Sequence, residues 1–397
     1  MKQKLVIVND CHPDELPGAA TIAYNYFLNL QNSMSVEFYC PSESNEKLTT
    51  NDFVRLMRFP KNLESLKRNF FLRHLARAFL KFTVLLKFTT LVLRSKPDFV
   101  WFHQIGHRVS YLSISICHLL GIKTICMFHD YSGIIKGKLY PHHLGVDVNE
   151  LDEWVMSLNS YYGHDHIDFL KNRIPKSAPI NQIRVKVRRT FIRSFVCKSQ
   201  VFFISQTQAN LYGLFKFESS GQLPNPTEDC ACNLKYSQNQ GSVKEILFAG
   251  RLIGKGLETV LQSLVGTNIL INLAGDTSLF ELAKSYLPEA QIRFHGKVSR
   301  IEIFRLIHHV DLVCVPSICF DVYPSILVEA LSHGTKILTH RTVGNYDLAG
   351  TNKIILAAYG KPLQFDLEQF GHFLSENCFT YSQASSRFLQ YIGPDEQ

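Results

Sequence analysis

The sequence of 397 residues predicts an α/β protein built from two open parallel sheets. Three observations lead there. From Leu5 to Ser205, apolar runs of strand length alternate with helix-length segments, the pattern of parallel strands covered on both faces. A polar stretch opening with Leu223-Pro-Asn-Pro-Thr-Glu-Asp229 and running to Gly241 breaks that alternation, as an interdomain linker would. The alternation then restarts at Glu245 and continues to His340. The length suits two domains, each able to bury its own core.

In order, Leu5-Val-Ile-Val-Asn9 reads as a buried strand. The loop Asp10–Gly18 follows, then a helix from Ala19 to about Asn29. Val36-Glu-Phe-Tyr-Cys40 is a second strand, and a basic helical region comes next. Asp98–His103 reads as a strand, Ser110–Leu120 as a helix and Lys123–His129 as a strand. Tyr131–Ser177 is polar and loop-rich, Ile183–Lys198 a basic helix, and Val201–Ser205 a strand. After the linker, strands at Glu245–Gly250, Ile269–Ala274, Ile292–His295, Asp311–Val315 and Lys336–His340 alternate with helices. Those helices cover Leu257–Leu264, Phe280–Tyr286, Ile301–His308 and a segment starting near Ser325. The expected organisation is a first domain over 1–225, a linker over 226–243, a second domain over 244–363 and a C-terminal segment over 364–397. Two such sheets bind ligands at the carboxyl ends of their strands, in the cleft between domains.

Hydrophobic residues make up 46% and charged residues 19%, so the chain is globular rather than disordered. No uncharged apolar run reaches the ~18 residues of a spanning helix. The first apolar run is too short for a signal peptide, so a cytosolic protein is expected. The ten cysteines are scattered, mostly in apolar segments, which suits reduced core residues in that compartment. Cys230-Ala-Cys232 has no second pair to complete a metal site. His164-Asp-His166 has no third ligand at a defined spacing, and a solvated loop is the expectation there. The sequence holds no Asp-x-Asp pair to fix a divalent ion against a diphosphate, so no metal is expected.

The net charge of +8 is concentrated: eleven Lys and Arg but one acid, Glu64, lie between Arg55 and Lys96. Leu75, Phe79, Phe82 and Leu86 recur at helical spacing, with Arg73, Arg77 and Lys81 as a cationic stripe beside them. Phe70, Phe71, Phe79, Phe82 and Phe88 are more aromatic surface than one core-facing stripe needs. The combination predicts a helix lying on an anionic membrane surface. Nucleic acid would also attract such charge, but no nucleic-acid-binding motif accompanies it, so no nucleic-acid partner is expected.

The chemistry concentrates in Ser317-Ile-Cys-Phe-Asp-Val-Tyr-Pro-Ser-Ile-Leu-Val-Glu-Ala-Leu-Ser-His-Gly-Thr335. Pro324 and Ser325 stand at a predicted helix start, where unpaired N–H groups and the positive dipole end favour an anion. Glu329 lies one turn in, facing the same cleft as Asp321. Gly250-Arg-Leu-Ile-Gly-Lys-Gly256 brings Arg251 and Lys255 to a strand's carboxyl end, where two cations suit a diphosphate. It is not a P-loop, since the glycine spacing and the Lys-Ser/Thr pair are missing. Gly18 lets backbone approach a ligand closely. His129, and less strongly His103, sit at strand ends where an imidazole can reach a sugar hydroxyl or a developing charge.

These segments, with Pro97-Asp-Phe-Val-Trp-Phe-His103, Phe128-His-Asp130, Leu223-Pro-Asn225, Phe248-Ala-Gly-Arg251, Ala274-Gly-Asp276, Phe294-His-Gly296 and Val315-Pro-Ser317, resemble glycosyltransferase family 4. These are the retaining group 1 enzymes with two facing Rossmann-like domains, the GT-B fold. The resemblance covers nearly the whole chain, and its Asp321–Glu329 segment is similar to the family's Glu-x7-Glu motif. It implies a nucleoside-diphosphate sugar as co-substrate and no further cofactor. It implies that Arg251 and Lys255 bind the diphosphate, Glu329 the ribose hydroxyls and backbone near Val298 the base. Pro324, Ser325 and Ile326 would mark the helix start, where backbone N–H groups would face donor phosphate and sugar, with Gly18 opposite. Asp321 and His129 would flank the transferred sugar as the catalytic pair. The resemblance also implies that the C-terminal segment contains helix that packs back on the first domain. Two departures stand out: Asp321 replaces the family's usual Glu, and the Arg251–Lys255 loop is one residue shorter than the common form.

The expectation is a peripheral enzyme on the cytosolic face of a membrane. It would transfer sugar with retention to a saccharide or lipid-linked saccharide acceptor in cell-surface polysaccharide biosynthesis. The alternative is a catalytically inactive GT-B-like protein acting as a membrane-associated assembly partner.

Overall fold

The computed structural model describes residues 2–13, 18–42, 54–58, 70–106, 108–131, 179–205, 208–209, 212, 215–227, 243–252, 254–340, 354–357, 363, 365 and 380–392. In the first domain, strands β1 (Lys4–Val8), β2 (Ser35–Ser42), β3 (Val54–Arg58), β4 (Phe99–Phe102), β5 (Lys123–Phe128), β6 (Gln200–Phe203) and β7 (Ser219–Gln222) form one sheet. Their order is β3-β2-β1-β4-β5-β6-β7, and every pairing is parallel. The crossovers include α1 (Ala19–Leu30), α2 (Phe70–Ser95), α3 (Leu112–Leu119) and α4 (Pro179–Phe195). β1 is apolar on both faces, with Leu5 to Val8 fully buried, as a central strand between helix layers must be.

The second sheet contains β8 (Glu245–Gly250), β9 (Leu270–Gly275), β10 (Ile292–Gly296), β11 (Leu312–Val315), β12 (Lys336–His340) and β13 (Ile354–Ala357). Its order, β10-β9-β8-β11-β12-β13, is again wholly parallel. Helices α5 (Leu257–Leu264), α6 (Thr277–Lys284), α7 (Arg300–His309) and α8 (Ser325–Ser332) cross between its strands. The period of two in a strand divides its core: Ile246, Phe248, Leu312 and Cys314 pack on one face, and Leu247, Ala249, Val313 and Val315 on the other.

The last helix, α9 (Tyr381–Ile392), joins the first domain's core through Tyr381, Ala384, Phe388 and Ile392. The Phe388 ring stacks on Trp101 at 4.0 Å and 6°, while Tyr26 covers Trp101 at 4.8 Å. Phe320, Val322, Tyr323 and Val328 of the second domain belong to the same core. Asn225 donates from Nδ2 to the Tyr323 carbonyl at 3.2 Å. The two chain crossings lie side by side, with a β-bridge between Thr227 and Thr380 and the Tyr381 N–H donating to the Thr227 carbonyl at 2.9 Å.

Three strands depart from the sequence reading. β3 opens the stretch read as a basic helical region, and β7 and β13 were not singled out. All three are edge strands. An edge strand needs no continuous apolar run, which accounts for two of them: β7 is Ser-Ser-Gly-Gln, and β3 carries two arginines in five residues, whereas β13, Ile-Ile-Leu-Ala, is apolar throughout but only four residues long, too short for periodicity to mark as a strand. His164, His166, Cys230 and Cys232 lie outside the described residues, as does the polar interval after Tyr131 up to residue 178. Among the described residues, seven cysteines are buried and form no disulfide.

Helix α2 is 26 residues long. Val84, Phe88 and Val92, spaced by four, are buried against the sheet. Phe79, Phe82, Leu86 and Leu93 are 69%, 56%, 52% and 52% exposed. At about 100° per residue these two sets occupy opposite sides of the helix. Lys81 corrects the predicted cationic stripe: its Nζ donates to the Gly106 carbonyl at 2.7 Å, so it is tied to the body of the domain. Arg73 and Arg77 belong to the helix backbone, and their side chains lie outside what is described. Among the described residues no helix is long and apolar enough to cross a membrane.

Candidate functional site

The second-domain wall starts at the carboxyl end of β8. The loop after it turns through three glycines of positive φ: Gly250 at 144°, Gly254 at 80° and Gly256 at 76°. At Gly256 a Cβ would stand 1.9 Å from the Pro316 carbonyl oxygen, so only glycine permits this approach. The Gly254 carbonyl accepts from the Ile318 N–H at 3.1 Å and from the Cys319 thiol at 3.3 Å. The loop is thereby sewn to the segment that follows β11. That docking puts Lys255 against Asp321, with Nζ bonded to Oδ2 in an ion pair. Ser317, one residue beyond the Pro316 that ends the strand's reach, donates from Oγ to the same Oδ2 at 3.1 Å. Two residues assigned from separate motifs, a diphosphate cation and a sugar-facing acid, are thus partners. Arg251 is exposed at the mouth of the loop.

Asp321 leads into Pro324, which caps α8 in an extended conformation, with φ −61° and ψ 122°. Proline preorganises the start of a helix, and the N–H groups of Ser325 and Ile326 have no carbonyl within the helix to meet. Ser325 is exposed and Ile326 half-buried, whereas Glu329, one turn on, is buried. Glu329 is ion-paired: Arg300 Nη2 lies 3.1 Å from its Oε1. Val298 is half-buried in the turn between β10 and α7.

The first-domain wall carries Gly18 and His129. Gly18 precedes α1 with φ 98° and ψ −117°, a conformation that disfavours any side chain, and it is exposed with open space where a Cβ would project. His129 follows β5, and its Nε2 lies 3.0 Å from Nδ1 of His103, which follows β4. The rings stack at 5.2 Å. Burial pushes the His129 imidazole down to about 3, and His103 well below the usual histidine range, with the neighbouring ring adding to the effect on His103. Both are neutral at physiological pH, and one nitrogen of the pair must donate to the other. The cavity beside them, lined also by Gln104, Tyr111 and Asp130, has a volume of about 30 Å³, room for a water rather than a sugar ring.

The direct contacts therefore lie within each wall: Lys255 with Asp321, Arg300 with Glu329, His103 with His129. Sequence reasoning gives no site role to Ser317, which it places only within a motif segment, or to Arg300. Ser317 carried a weak signal, lying four residues before Asp321. Arg300 carried none, being one arginine among many at the start of a helix.

Residues 235–361 match the family model of glycosyl transferases group 1. No curated protein sequence matches the chain. The fold is similar to that of Anabaena Alr3699/HepE in complex with UDP and glucose, at 14% identity and a TM-score of 0.57, covering 98% of this chain and 95% of that one. It is also similar to sucrose-phosphate synthase from Thermosynechococcus elongatus, at 12% identity and a TM-score of 0.61, with 98% of each chain covered. WaaG, a glycosyltransferase involved in lipopolysaccharide biosynthesis, gives 14% identity and a TM-score of 0.52, covering 99% of this chain and 95% of that one.

Proposed function

We propose that this chain, a GT-B glycosyltransferase with a group 1 domain over residues 235–361, moves a sugar from a nucleoside diphosphate to an acceptor hydroxyl with retention, in the manner of family 4. The observation that carries the reading is the Lys255–Asp321–Ser317 cluster at the carboxyl ends of β8 and β11. A diphosphate arriving there exchanges with the Asp321 carboxylate on Lys255, and Arg251 supplies the second positive charge. Asp321, released, turns to the transferred sugar, where its negative charge stabilises the positive charge developing at the anomeric carbon. The cations stabilise the opposite charge on the leaving diphosphate, the largest single contribution expected in such a site. His129, uncharged, takes a sugar hydroxyl by hydrogen bond. Glu329 receives the ribose hydroxyls, the turn at Val298 faces the base, and Gly18 leaves space for the phosphates from the other wall.

The acceptor reading rests on α2. A row of exposed Phe79, Phe82, Leu86 and Leu93 on the helix side opposite the buried Val84, Phe88 and Val92 suits insertion into the headgroup region of a membrane. The exposed Lys87 and Arg94 add charge for anionic lipid. A lipid-linked saccharide presented there fits cell-surface polysaccharide assembly by a peripheral enzyme on the cytosolic face.

The test is turnover of a panel of UDP-, GDP-, ADP- and dTDP-sugars, read as donor hydrolysis or transfer by the wild type, Arg251→Ala and Glu329→Ala. Turnover of one donor, reduced at least tenfold by each substitution, is the expected result. Turnover that survives both unchanged removes the site assignment, and none with any donor favours a non-catalytic assembly partner.

A further inference from the structure

Glu329 is held from a direction outside its own helix. The carboxylate side chain is 10% exposed and its partner Arg300 28% exposed, so the pair is largely withdrawn from water. Such a carboxylate needs a fixed counter-charge to stay ionised and in one rotamer. Arg300 is itself pinned twice. Its guanidinium lies over the Phe304 ring, one turn along α7, at 5.5 Å from the centroid. The Tyr381 hydroxyl lies beside this guanidinium and beside Asn25.

Tyr381 and Asn25 belong to the other half of the molecule. Tyr381 opens α9, and its ring meets Tyr26 edge-on at 5.7 Å within the first domain's core. Asn25 is on α1 of that domain. The Tyr381 N–H, bonded to Thr227, sits where the two interdomain crossings run side by side. Neighbouring polar groups therefore lead from α1 by way of the returning helix to Glu329: Asn25 and Arg300 flank the Tyr381 hydroxyl, and Arg300 is ion-paired to Glu329.

We propose that Arg300 is a positioning residue for the donor's ribose, anchored by Tyr381, so that the acid receiving the ribose diol is set by a contact whose far end belongs to the first domain. The inference rests on the reading of Glu329 as the ribose acid. A carboxylate accepts two hydroxyls well only in one orientation, and the planar guanidinium fork fixes that orientation better than a mobile ammonium would. Loss of the anchor should weaken ligands that carry ribose and spare the diphosphate subsite at Lys255.

The experiment is calorimetric titration of UDP, GDP, ADP and, separately, inorganic pyrophosphate into the wild type, Arg300→Ala, Arg300→Lys, Tyr381→Phe, Glu329→Gln and the Arg300→Ala/Glu329→Gln double variant. Arg300→Ala should weaken the tightest nucleotide about tenfold, the usual effect of losing a charge-assisted bond. Tyr381→Phe, which keeps the ring in the core, should weaken it about threefold. Pyrophosphate should stay within twofold throughout, and Arg300→Lys should restore part of the loss. In the Glu329→Gln background, Arg300→Ala should add less than twofold, since coupled residues are not additive. Equal weakening of nucleotide and pyrophosphate, full additivity, or nucleotide binding untouched by Arg300→Ala would each overturn the inference alone. A wild type that binds none of the nucleotides overturns the donor-site reading and this inference with it. If Arg300→Ala does not fold, Tyr381→Phe and Arg300→Lys decide by the same nucleotide-to-pyrophosphate ratio.

Discussion

Asp321→Asn should separate donor binding from turnover, because in the proposed reaction the carboxylate it removes serves two partners in succession. Asp321 holds Lys255, and Ser317 braces the same oxygen at 3.1 Å. Both charged side chains are 20% exposed, so the pair is neither fully screened nor fully buried. A net value of about 1 kcal/mol is appropriate for such a pair. A diphosphate must displace that carboxylate, so removing it should tighten nucleoside diphosphate binding about fivefold, the equivalent of ~1 kcal/mol. The chemical step should move the other way. A unit charge about 4 Å from a developing cation contributes up to about 4 kcal/mol at an effective dielectric of about 20. Screening by the nearby cations reduces this, and kcat should fall about a hundredfold. Titration calorimetry with the nucleoside diphosphate, paired with initial rates of transfer, reads both arms. Weaker diphosphate binding by Asp321→Asn, or an unchanged kcat, would refute the exchange of Lys255 between carboxylate and phosphate.

Three further outcomes are expected. Gly256→Ala forces a Cβ onto the Pro316 carbonyl at a φ of 76°, so the loop must move; stability should drop by about 2 kcal/mol or more in denaturant titration, and activity with it as Lys255 is displaced. Phe79→Ser with Phe82→Ser should abolish co-sedimentation with anionic liposomes while leaving the unfolding midpoint unchanged, because both rings are more than half exposed; undiminished pelleting would count against the membrane role of α2. Acidification should destabilise the fold, since His129 and His103 are neutral when folded, with His129 pushed down to about 3. The unfolded chain binds more protons from just above pH 6.5 downward, so stability is complete above that pH and is lost as pH falls toward 3, by roughly 1 kcal/mol per pH unit per histidine. Thermal unfolding between pH 7.5 and 5 should show this slope, and His129→Asn should flatten it.

What could be read from residues alone follows a physical rule. Central strands buried on both faces must be continuously apolar, which made Leu5–Val8, Glu245–Gly250 and Lys336–His340 legible, and the helix Leu257–Leu264 was read to the residue. Edge strands face solvent along one side and escape that rule, so Ser219–Gln222 carried no sequence signal. The glycine-bearing loops at Gly18 and Gly250–Gly256, and the order of acids and cations around them, were also local features, because turn chemistry is written in neighbouring residues.

Pairing across distance was not. The periodicity of α2 identified an amphipathic helix with Phe79, Phe82 and Leu86 in line, but only the packing of Val84, Phe88 and Val92 against the sheet decides that the first row faces outward. Likewise spacing puts Lys81 in the cationic stripe of a membrane-facing helix, but its Nζ is bonded to the Gly106 carbonyl. Lys255 and Asp321 are each candidate donor-site residues from their own segments, yet their mutual contact depends on the Gly256 turn meeting Pro316, sixty residues away in sequence. The sequence determined which charged groups, glycine turns and buried strands this protein carries, because residue type and local spacing set charge, turn geometry and strand burial. The tertiary structure decided which of those groups hold one another, because partners such as Arg300, Tyr381 and Glu329 are chosen by the packing of elements far apart along the chain.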